Sequence, residues 1–275
     1  MVPGVKGTVQ KILTFFAMIA GTVTGENSKA SEEDWIVYLR EAEPSGFIIS
    51  VNLAISSGRV VPASAECWLV QFQFTSPQLA EQGMPNAEGQ AAYRSAEDLL
   101  TKAVEPTGGE IVAARTGQGS RSVWFCGSRT MMPALQKAIG AVQNVSATFR
   151  PASLSDIEAL HPTTLESQLA DNHRILEYIT QKGDDLITPR KTRHFIYGVA
   201  PEDRRKIETR LKTLGFQLEP PSLDISRDPI LFSRLAPLEI STLDNDVRTL
   251  AGLCAEFNCE YDGWETEVIA PPGNR

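Results

Sequence analysis

The order of strand-like and helix-like segments constrains this fold more than any other sequence feature, because the same order occurs twice. In the second half, a strand-like run at 192–199 leads to Pro201, which is typical of the first turn of a helix. Ile207 and Leu211 have the spacing of the buried apolar face of that helix. Two strand-like runs, a helix entered near Ser241 and a last strand follow. The first half has the same order from residue 66 to 150, after two additional strand-like runs at 34–42 and 46–55.

Strand, helix, strand, strand, helix, strand is the order of the ferredoxin-like split βαβ unit. The sequence therefore predicts an α+β chain of two ferredoxin-like (βαββαβ) domains, each with an antiparallel sheet and helices on one face, the first with extra N-terminal strands. We expect an N-terminal segment at 1–33, an α+β domain at 34–152, a helical connector at 153–182 and a second domain at 183–275.

The N-terminal segment has two interpretations that the sequence leaves open. Lys6 and Lys11 precede the apolar run Ile12–Val23, which has the length of a signal-peptide core and is too short to span a bilayer. Val5, Val9 and Ile12 also fit the spacing of an N-terminal helix. We expect a cytoplasmic protein, or an exported one if Ile12–Val23 is a signal-peptide core, and no membrane contact after residue 30.

Charge and cysteine content narrow the class of function. A net charge of −8 argues against broad electrostatic binding of nucleic acid and favours a basic surface on another protein. Four cysteines are too few for a disulfide scaffold, and Cys67 and Cys126 lie in strand-like apolar runs, where we expect small buried hydrophobic residues. Cys254 and Cys259 do not have the spacing of a zinc site.

A search for catalytic motifs finds no Walker loop, no nucleophile elbow and no zinc-protease motif. Asp184 and Asp185 are adjacent acids in a loop, and we expect a solvated turn there rather than an acid–base pair. The three histidines are far apart in sequence and are expected to be structural or exposed. The sequence thus predicts no catalytic residue, no metal ligand, no cofactor and no enzymatic activity.

An RNA-binding module is the alternative. RNA-recognition domains with this strand order stack bases on aromatic side chains of the sheet, and Phe195 and Tyr197 share one strand face, with Phe232 on a later strand. The basic helix at 204–212, which includes Arg204 and Arg205, would add positive charge. However, the later strand lacks the basic Gly-aromatic pattern of that class. From residue 165 onward, 19 Asp and Glu residues also outnumber 14 Lys and Arg residues, so direct binding of nucleic acid is not favoured.

The last strand-like segment, "EYDGWE" at 260–265, is the most distinctive stretch of the chain. Strand alternation predicts Tyr261 and Glu265 on one face and Trp264 on the other. Asp262 and Gly263 indicate a bulge or bend. We expect Tyr261 and Trp264 to anchor the sheet onto its helices.

The C-terminal half, about 165–270, resembles the regulator of ribonuclease activity B family. The resemblance rests on "NHRILEYITQKGDDL", "LGFQLEPP" and, most specifically, "EYDGWET". Residues 34–150 resemble domain-of-unknown-function family 695, through the start at Trp35, the "VNL" strand and the layout of elements.

The first resemblance implies a non-catalytic protein that binds ribonuclease E and modulates its cleavage of RNA. The residues that carry it, and that are therefore expected to meet the partner, are Glu260, Tyr261, Asp262, Gly263, Trp264 and Glu265. The chain departs from the family in two respects. It ends on "APPGNR" instead of an acid-rich tail, and it has the basic helix at 204–212.

Overall fold

The computed structural model describes residues 35–43, 45–55, 65–220 and 229–269, apart from the side chains of Ile55 and Glu81. The described residues form two compact units, which divide between Thr163 and Thr164. The apolar run Ile12–Val23 lies outside the described residues.

Unit 1 contains a six-stranded antiparallel sheet in the order β1-β2-β4-β5-β3-β6. Its strands are β1 Trp35–Arg40, β2 Phe47–Asn52, β3 Glu66–Gln73, β4 Glu110–Gly117, β5 Ser120–Gly127 and β6 Ser146–Ala152. Its helices are α1 Ala87–Val104, α2 Met131–Ile139 and the short α3 Leu154–Glu158. From β3 to β6 both the chain order and the sheet order are ferredoxin-like, while β1 and β2 extend the sheet beyond β4.

Local sequence signals account for the boundaries of these elements. The side chain of Asn86 accepts hydrogen bonds from the backbone N–H groups of Glu88 and Gly89, which caps the start of α1. Gln118 and Gly119 both have positive φ, so the link between β4 and β5 is a tight hairpin turn, as predicted from its glycines.

The main core of unit 1 lies between the sheet and helices α1 and α2. Phe72, Phe125, Leu100 and Leu135 are fully buried in it. A charged pair is buried beside it, where the Arg121 guanidinium on β5 donates to the Glu97 carboxylate on α1. The position of α1 against β5 is thus fixed by both apolar packing and a satisfied ion pair.

Cys67 and Cys126 form a disulfide, so the expectation of two separate small hydrophobic residues is wrong. The two cysteines face each other directly across β3 and β5, the central strands of the ferredoxin-like order. They are 59 residues apart in sequence, and both are buried. The disulfide therefore joins strands that the backbone hydrogen bonds already pair.

Unit 2 contains a four-stranded antiparallel sheet in the order β10-β7-β9-β8. Its strands are β7 Arg190–Tyr197, β8 Gln217–Leu218, β9 Ile230–Ala236 and β10 Glu260–Glu265. Its helices are α4 Thr164–Gln181, α5 Pro201–Thr213 and α6 Ile240–Phe257. From β7 to β10 this is again the ferredoxin-like arrangement, so the predicted α+β fold class is confirmed.

The end of α5 follows its sequence signals. Gly215 adopts positive φ, and the backbone N–H of Phe216 donates to the Leu211 carbonyl at 3.0 Å, which is the long-range hydrogen bond of a Schellman motif. Phe216 then enters the core of unit 2 beside Phe232. The helix exit thereby directs an aromatic side chain into the core.

Asp184 is not in a solvated turn, contrary to the sequence-based expectation. Its carboxylate and the Arg190 guanidinium form an ion pair in which both side chains are fully buried. The carboxylate also accepts hydrogen bonds from the backbone N–H groups of Leu186 and Ile269. Asp185 is exposed and caps the following turn, so only this second acid fits the expectation.

Candidate functional site

Strand β10 carries the segment singled out in the sequence, and the end of α6 determines where this strand begins. Asn258 adopts the left-handed conformation, and the backbone N–H of Cys259 donates to the Cys254 carbonyl at 2.9 Å. These are the features of a Schellman ending, which reverses the chain directly after the helix. Glu260 is therefore the first residue to pair with the neighbouring strand β7.

A bulge changes which side chains of β10 share a face. Tyr261 pairs with Ile196 and Trp264 with His194, so the register shifts across Asp262 and Gly263. Gly263 has a φ of +91°, which a residue with a side chain rarely adopts. The predicted bulge is confirmed, but the predicted separation of Tyr261 from Trp264 is wrong. The bulge turns both aromatic side chains toward the helices.

Tyr261 is buried beneath the sheet, in contact with a buried histidine. Its hydroxyl is 3.0 Å from Nδ1 of His194, whose ring stacks on Phe232. Burial lowers the pKa of His194 to about 3 and raises the pKa of Tyr261 well above its usual range. Both groups are therefore uncharged at neutral pH, which makes this pair part of the core rather than an acid–base pair.

Trp264 connects β10 to two helices through a chain of hydrogen bonds. Its indole Nε1 donates to Oδ1 of Asn172 on α4 at 2.7 Å, and Nδ2 of Asn172 donates to Oδ1 of Asp244 on α6 at 2.9 Å. Burial raises the pKa of Asp244. The prediction that Tyr261 and Trp264 anchor the sheet onto its helices is thus confirmed by their contacts.

The supporting residue Asn172 was not singled out in the sequence, although a signal for it exists. It occupies the same helical stripe as Leu169, Leu176 and Ile179, at a position where an apolar residue is expected. It is buried, with 1% of its surface exposed. A lone polar residue in an apolar stripe indicates a specific buried partner, which here is Trp264.

The side chains of this segment that face solvent are acidic. Glu260, Asp262 and Glu265 are all exposed. Glu265 forms an ion pair with Arg193 of β7 at 2.6 Å, whereas Glu260 and Asp262 form no ion pair within the described residues. The segment therefore consists of an inward aromatic anchor and an outward row of carboxylates.

The residues of the RNA-binding alternative do not form one surface. Phe195 and Tyr197 lie on the face of β7 that points away from the helices, whereas Arg204 and Arg205 lie on α5, which packs on the other face. Phe232 is fully buried and faces the helices, so it is not an exposed base platform. Across from Phe195, Leu231 is only 6% exposed, while Phe195 and Tyr197 themselves are half-buried.

In the described ranges, no group of three or more His, Cys, Asp or Glu side chains is arranged to hold a metal ion. None of the helices in those ranges has both the length and the apolar character needed to cross a membrane.

The solved structures similar to the chain include two with low TM-scores. A putative glycine cleavage system transcriptional repressor is 8% identical with a TM-score of 0.22, and an unknown protein from Galdieria sulphuraria is 14% identical with a TM-score of 0.20. Each comparison covers 74% of this chain and 99% of the other. No curated protein matches the chain.

The comparison with protein-family models concerns the second unit. The matched residues run from 169 to 266, and so include α4 from residue 169 onward and every strand and helix of unit 2 from β7 to β10. The similarity of residues 34–150 to domain-of-unknown-function family 695 stays a prediction. Residues 169–266 of the chain match the family Regulator of ribonuclease activity B.

Proposed function

We propose that the second unit is a non-catalytic regulator that binds a ribonuclease of the ribonuclease E type and modulates RNA decay. The observation that carries this proposal is the match of residues 169–266 to the regulator family. The site residues support a binding role rather than a catalytic one, because His194 and Tyr261 are buried and so are not accessible to a substrate.

Within β10, the contact surface is the outward row of Glu260, Asp262 and Glu265, and the partner surface is basic. Glu260 and Asp262 form no ion pair within the described residues and are available for a basic partner, while Glu265 would exchange its ion pair with Arg193 for the partner. Complementary charge accelerates association and selects partners. Tyr261, Gly263 and Trp264 act indirectly, since they hold the strand in place. Of the six residues at 260–265 that the family resemblance implies as partner contacts, three thus contact the partner and three position the strand.

A binding measurement with the full chain and purified ribonuclease E tests this proposal. We expect Glu260→Gln with Asp262→Asn to weaken binding by about tenfold at low salt, since two rim charges are lost. The matched control is Asp98→Asn with Glu177→Gln, which removes the same charge from exposed positions on α1 and α4 and leaves affinity unchanged.

Cleavage of a model RNA by the same ribonuclease provides the functional measurement. The wild-type chain is expected to change the cleavage rate, and the Glu260/Asp262 variant to require a correspondingly higher concentration. Absence of binding at low salt, together with an unchanged cleavage rate, would exclude the ribonuclease role. Binding of the chain to the RNA alone, lost in Tyr197→Ala, would instead support the RNA-binding alternative.

A second candidate is an exported protein with a different binding role, and the Cys67–Cys126 disulfide favours it. Structural disulfides persist mainly in oxidising compartments and are rare in the cytosol. An exported protein would not meet a cytoplasmic ribonuclease. The mass of the protein isolated from its native cells distinguishes the two candidates. A mature N-terminus near Ser31 supports export, and an intact Met1 in the cytoplasmic fraction supports the regulator.

A further inference from the structure

The two remaining cysteines, Cys254 and Cys259, occupy paired positions at the end of α6. In a Schellman ending, the residue three positions before the helix cap and the second residue after it are joined by a backbone hydrogen bond, and their side chains commonly touch. Cys254 and Cys259 are these two residues, with the N–H of Cys259 donating to the Cys254 carbonyl at 2.9 Å. Both are free thiols, and Cys259 packs against the core cluster that contains Cys254.

The two thiols differ in their access to solvent. Cys254 is 3% exposed and packs in the core of unit 2, while Cys259 is only half-buried. A small oxidant in solution therefore reaches Cys259 first, with Cys254 held behind it. An accessible thiol with a second thiol in contact is the arrangement in which a mixed disulfide is resolved within the chain.

We propose that Cys254 and Cys259 form a reversible disulfide in response to low-molecular-weight disulfides such as oxidised glutathione. The Cys259 thiolate attacks one sulfur of the oxidant, the S–S bond breaks and one small thiolate leaves. The Cys254 thiolate then attacks the Cys259 sulfur, displaces the second small thiolate and closes the intramolecular disulfide. The oxidant is reduced to two thiols, which take the two protons, and excess thiol reverses both steps.

The second step requires ionisation of the buried Cys254 thiol. Burial raises the pKa of the Cys254 thiol, and the neighbouring Cys259 thiol adds to this effect. Little Cys254 thiolate is present at neutral pH, and each unit of pH increases it about tenfold. We therefore expect the closure rate to increase with pH across the neutral and mildly alkaline range.

The state of the thiol pair bears on β10, since Glu260 directly follows Cys259. A disulfide would fix the turn from which the acidic row starts and would alter its contact with a partner. This consequence rests on the proposed function, whereas the chemistry of the pair does not. Failure of ribonuclease binding would therefore leave the disulfide measurable, and failure of the disulfide would leave the binding proposal intact.

Peptide mass mapping of the full chain equilibrated in glutathione buffers of increasing oxidation tests the proposal. Both cysteines fall in the peptide Thr249–Arg275, which contains no internal Lys or Arg. After blocking of free thiols and trypsin digestion, the oxidised sample should yield this peptide without blocking groups and lighter by two hydrogens. Added thiol should restore two blocked cysteines. The Cys67–Cys126 pair provides an internal reference for a disulfide that is already formed.

Single variants provide matched controls. Cys254→Ala keeps the accessible thiol and removes its partner, so its Cys259 should accumulate the glutathione adduct that the wild-type chain loses by closure. Cys259→Ser should leave the buried Cys254 unmodified. The proposal is overturned if the wild-type peptide keeps two blockable thiols in the most oxidising buffer, or if it holds glutathione at Cys259 without closing.

Discussion

At the scale of single residues, His194 is the most deeply buried histidine in the described chain. Its ring lies among Phe216, Phe232 and Tyr261, and its Nε2 has no hydrogen-bond partner within the described residues. Burial opposes the charged form and lowers the pKa of His194 to about 3. The folded state therefore favours the neutral ring of His194, and protonation of this ring at low pH lowers the stability of the fold.

This environment predicts a pH-dependent loss of stability. The folded pKa is below the ordinary value of 6.5, so the contribution is complete above pH 6.5 and declines as the pH falls toward 3. Replacing His194→Phe together with Tyr261→Phe removes both polar partners. Between pH 7 and 5, the wild-type free energy of unfolding should fall by about 2 kcal/mol more than that of the double variant. Urea unfolding at both pH values measures this, with Tyr261→Phe alone as the control that keeps the wild-type slope.

The Asp184–Arg190 pair gives a second prediction at this scale. Hydrogen bonds from Arg190 hold the pKa of Asp184 at about 2, and both side chains are fully buried. Asp184→Asn leaves the buried guanidinium with only the exposed Asp185 carboxylate, 3.8 Å away, as counter-charge, and should lower the free energy of unfolding by about 3–5 kcal/mol. Asp185→Asn, at the adjacent exposed acid, is the matched control and should have a much smaller effect in urea unfolding. Equal losses from the two variants would contradict the assigned role of Asp184.

At the scale of elements, local signals were readable from the sequence and cross-strand register was not. The helix end at Gly215 and the turn at Gly117–Ser120 depend only on the local backbone conformation, so the sequence alone predicts them. The disulfide depends on residues 59 apart facing each other across β3 and β5, which requires the topology and the register together. The inward position of Trp264 likewise depends on the register. The bulge at Asp262–Gly263 shifts the pairing with β7 and so places Trp264 on the same face as Tyr261.

The bulge makes a prediction about two glycines in adjoining elements. A Cβ added at Gly263 or at Gly252 meets no atom within 4 Å, so space does not distinguish them. Gly263 has a φ of +91°, whereas Gly252 lies within helix α6. Gly263→Ala should destabilise unit 2 by about 1–2 kcal/mol through backbone strain. Gly252→Ala should stabilise it by about 1 kcal/mol through helix propensity. Thermal unfolding of both variants checks the two signs, and a shared sign would contradict the strain argument.

At the scale of the whole molecule, the sequence alone predicts the two ferredoxin-like arrangements. Each follows from the order and the lengths of its strands and helices and does not require the strand register. The stabilising devices of the two units differ. Both units contain a buried ion pair, Glu97–Arg121 in unit 1 and Asp184–Arg190 in unit 2, but among the described residues only unit 1 has a disulfide, which joins its central strands.

The disulfide predicts an unequal response of the two units to reduction. Closing a loop of 59 residues stabilises by about 4 kcal/mol, according to the loss of chain entropy in the unfolded state. Cys67→Ala with Cys126→Ala, or added reductant, should therefore destabilise unit 1. Hydrogen exchange followed strand by strand measures this. Amides of β5 should lose protection and those of β7 should not. A parallel loss in β7 would show that the two units unfold together.

The hydrogen bond from the backbone N–H of Ile269 to the Asp184 carboxylate, 2.6 Å long, brings together the two ends of the β7–β10 segment of unit 2. The loop that precedes β7 and the segment that follows β10 meet at one carboxylate, so the path of the sheet starts and finishes at the same point. Domains whose ends lie together tolerate having their chain opened elsewhere. A permuted β7–β10 segment, with residue 269 joined to residue 184 through a short linker and new ends in an exposed loop, should keep the same sheet order, although it lacks α4 and with it the hydrogen bond from Trp264 to Asn172. The same closure makes this fold suitable for insertion into another protein, where a host chain could enter and leave through neighbouring residues.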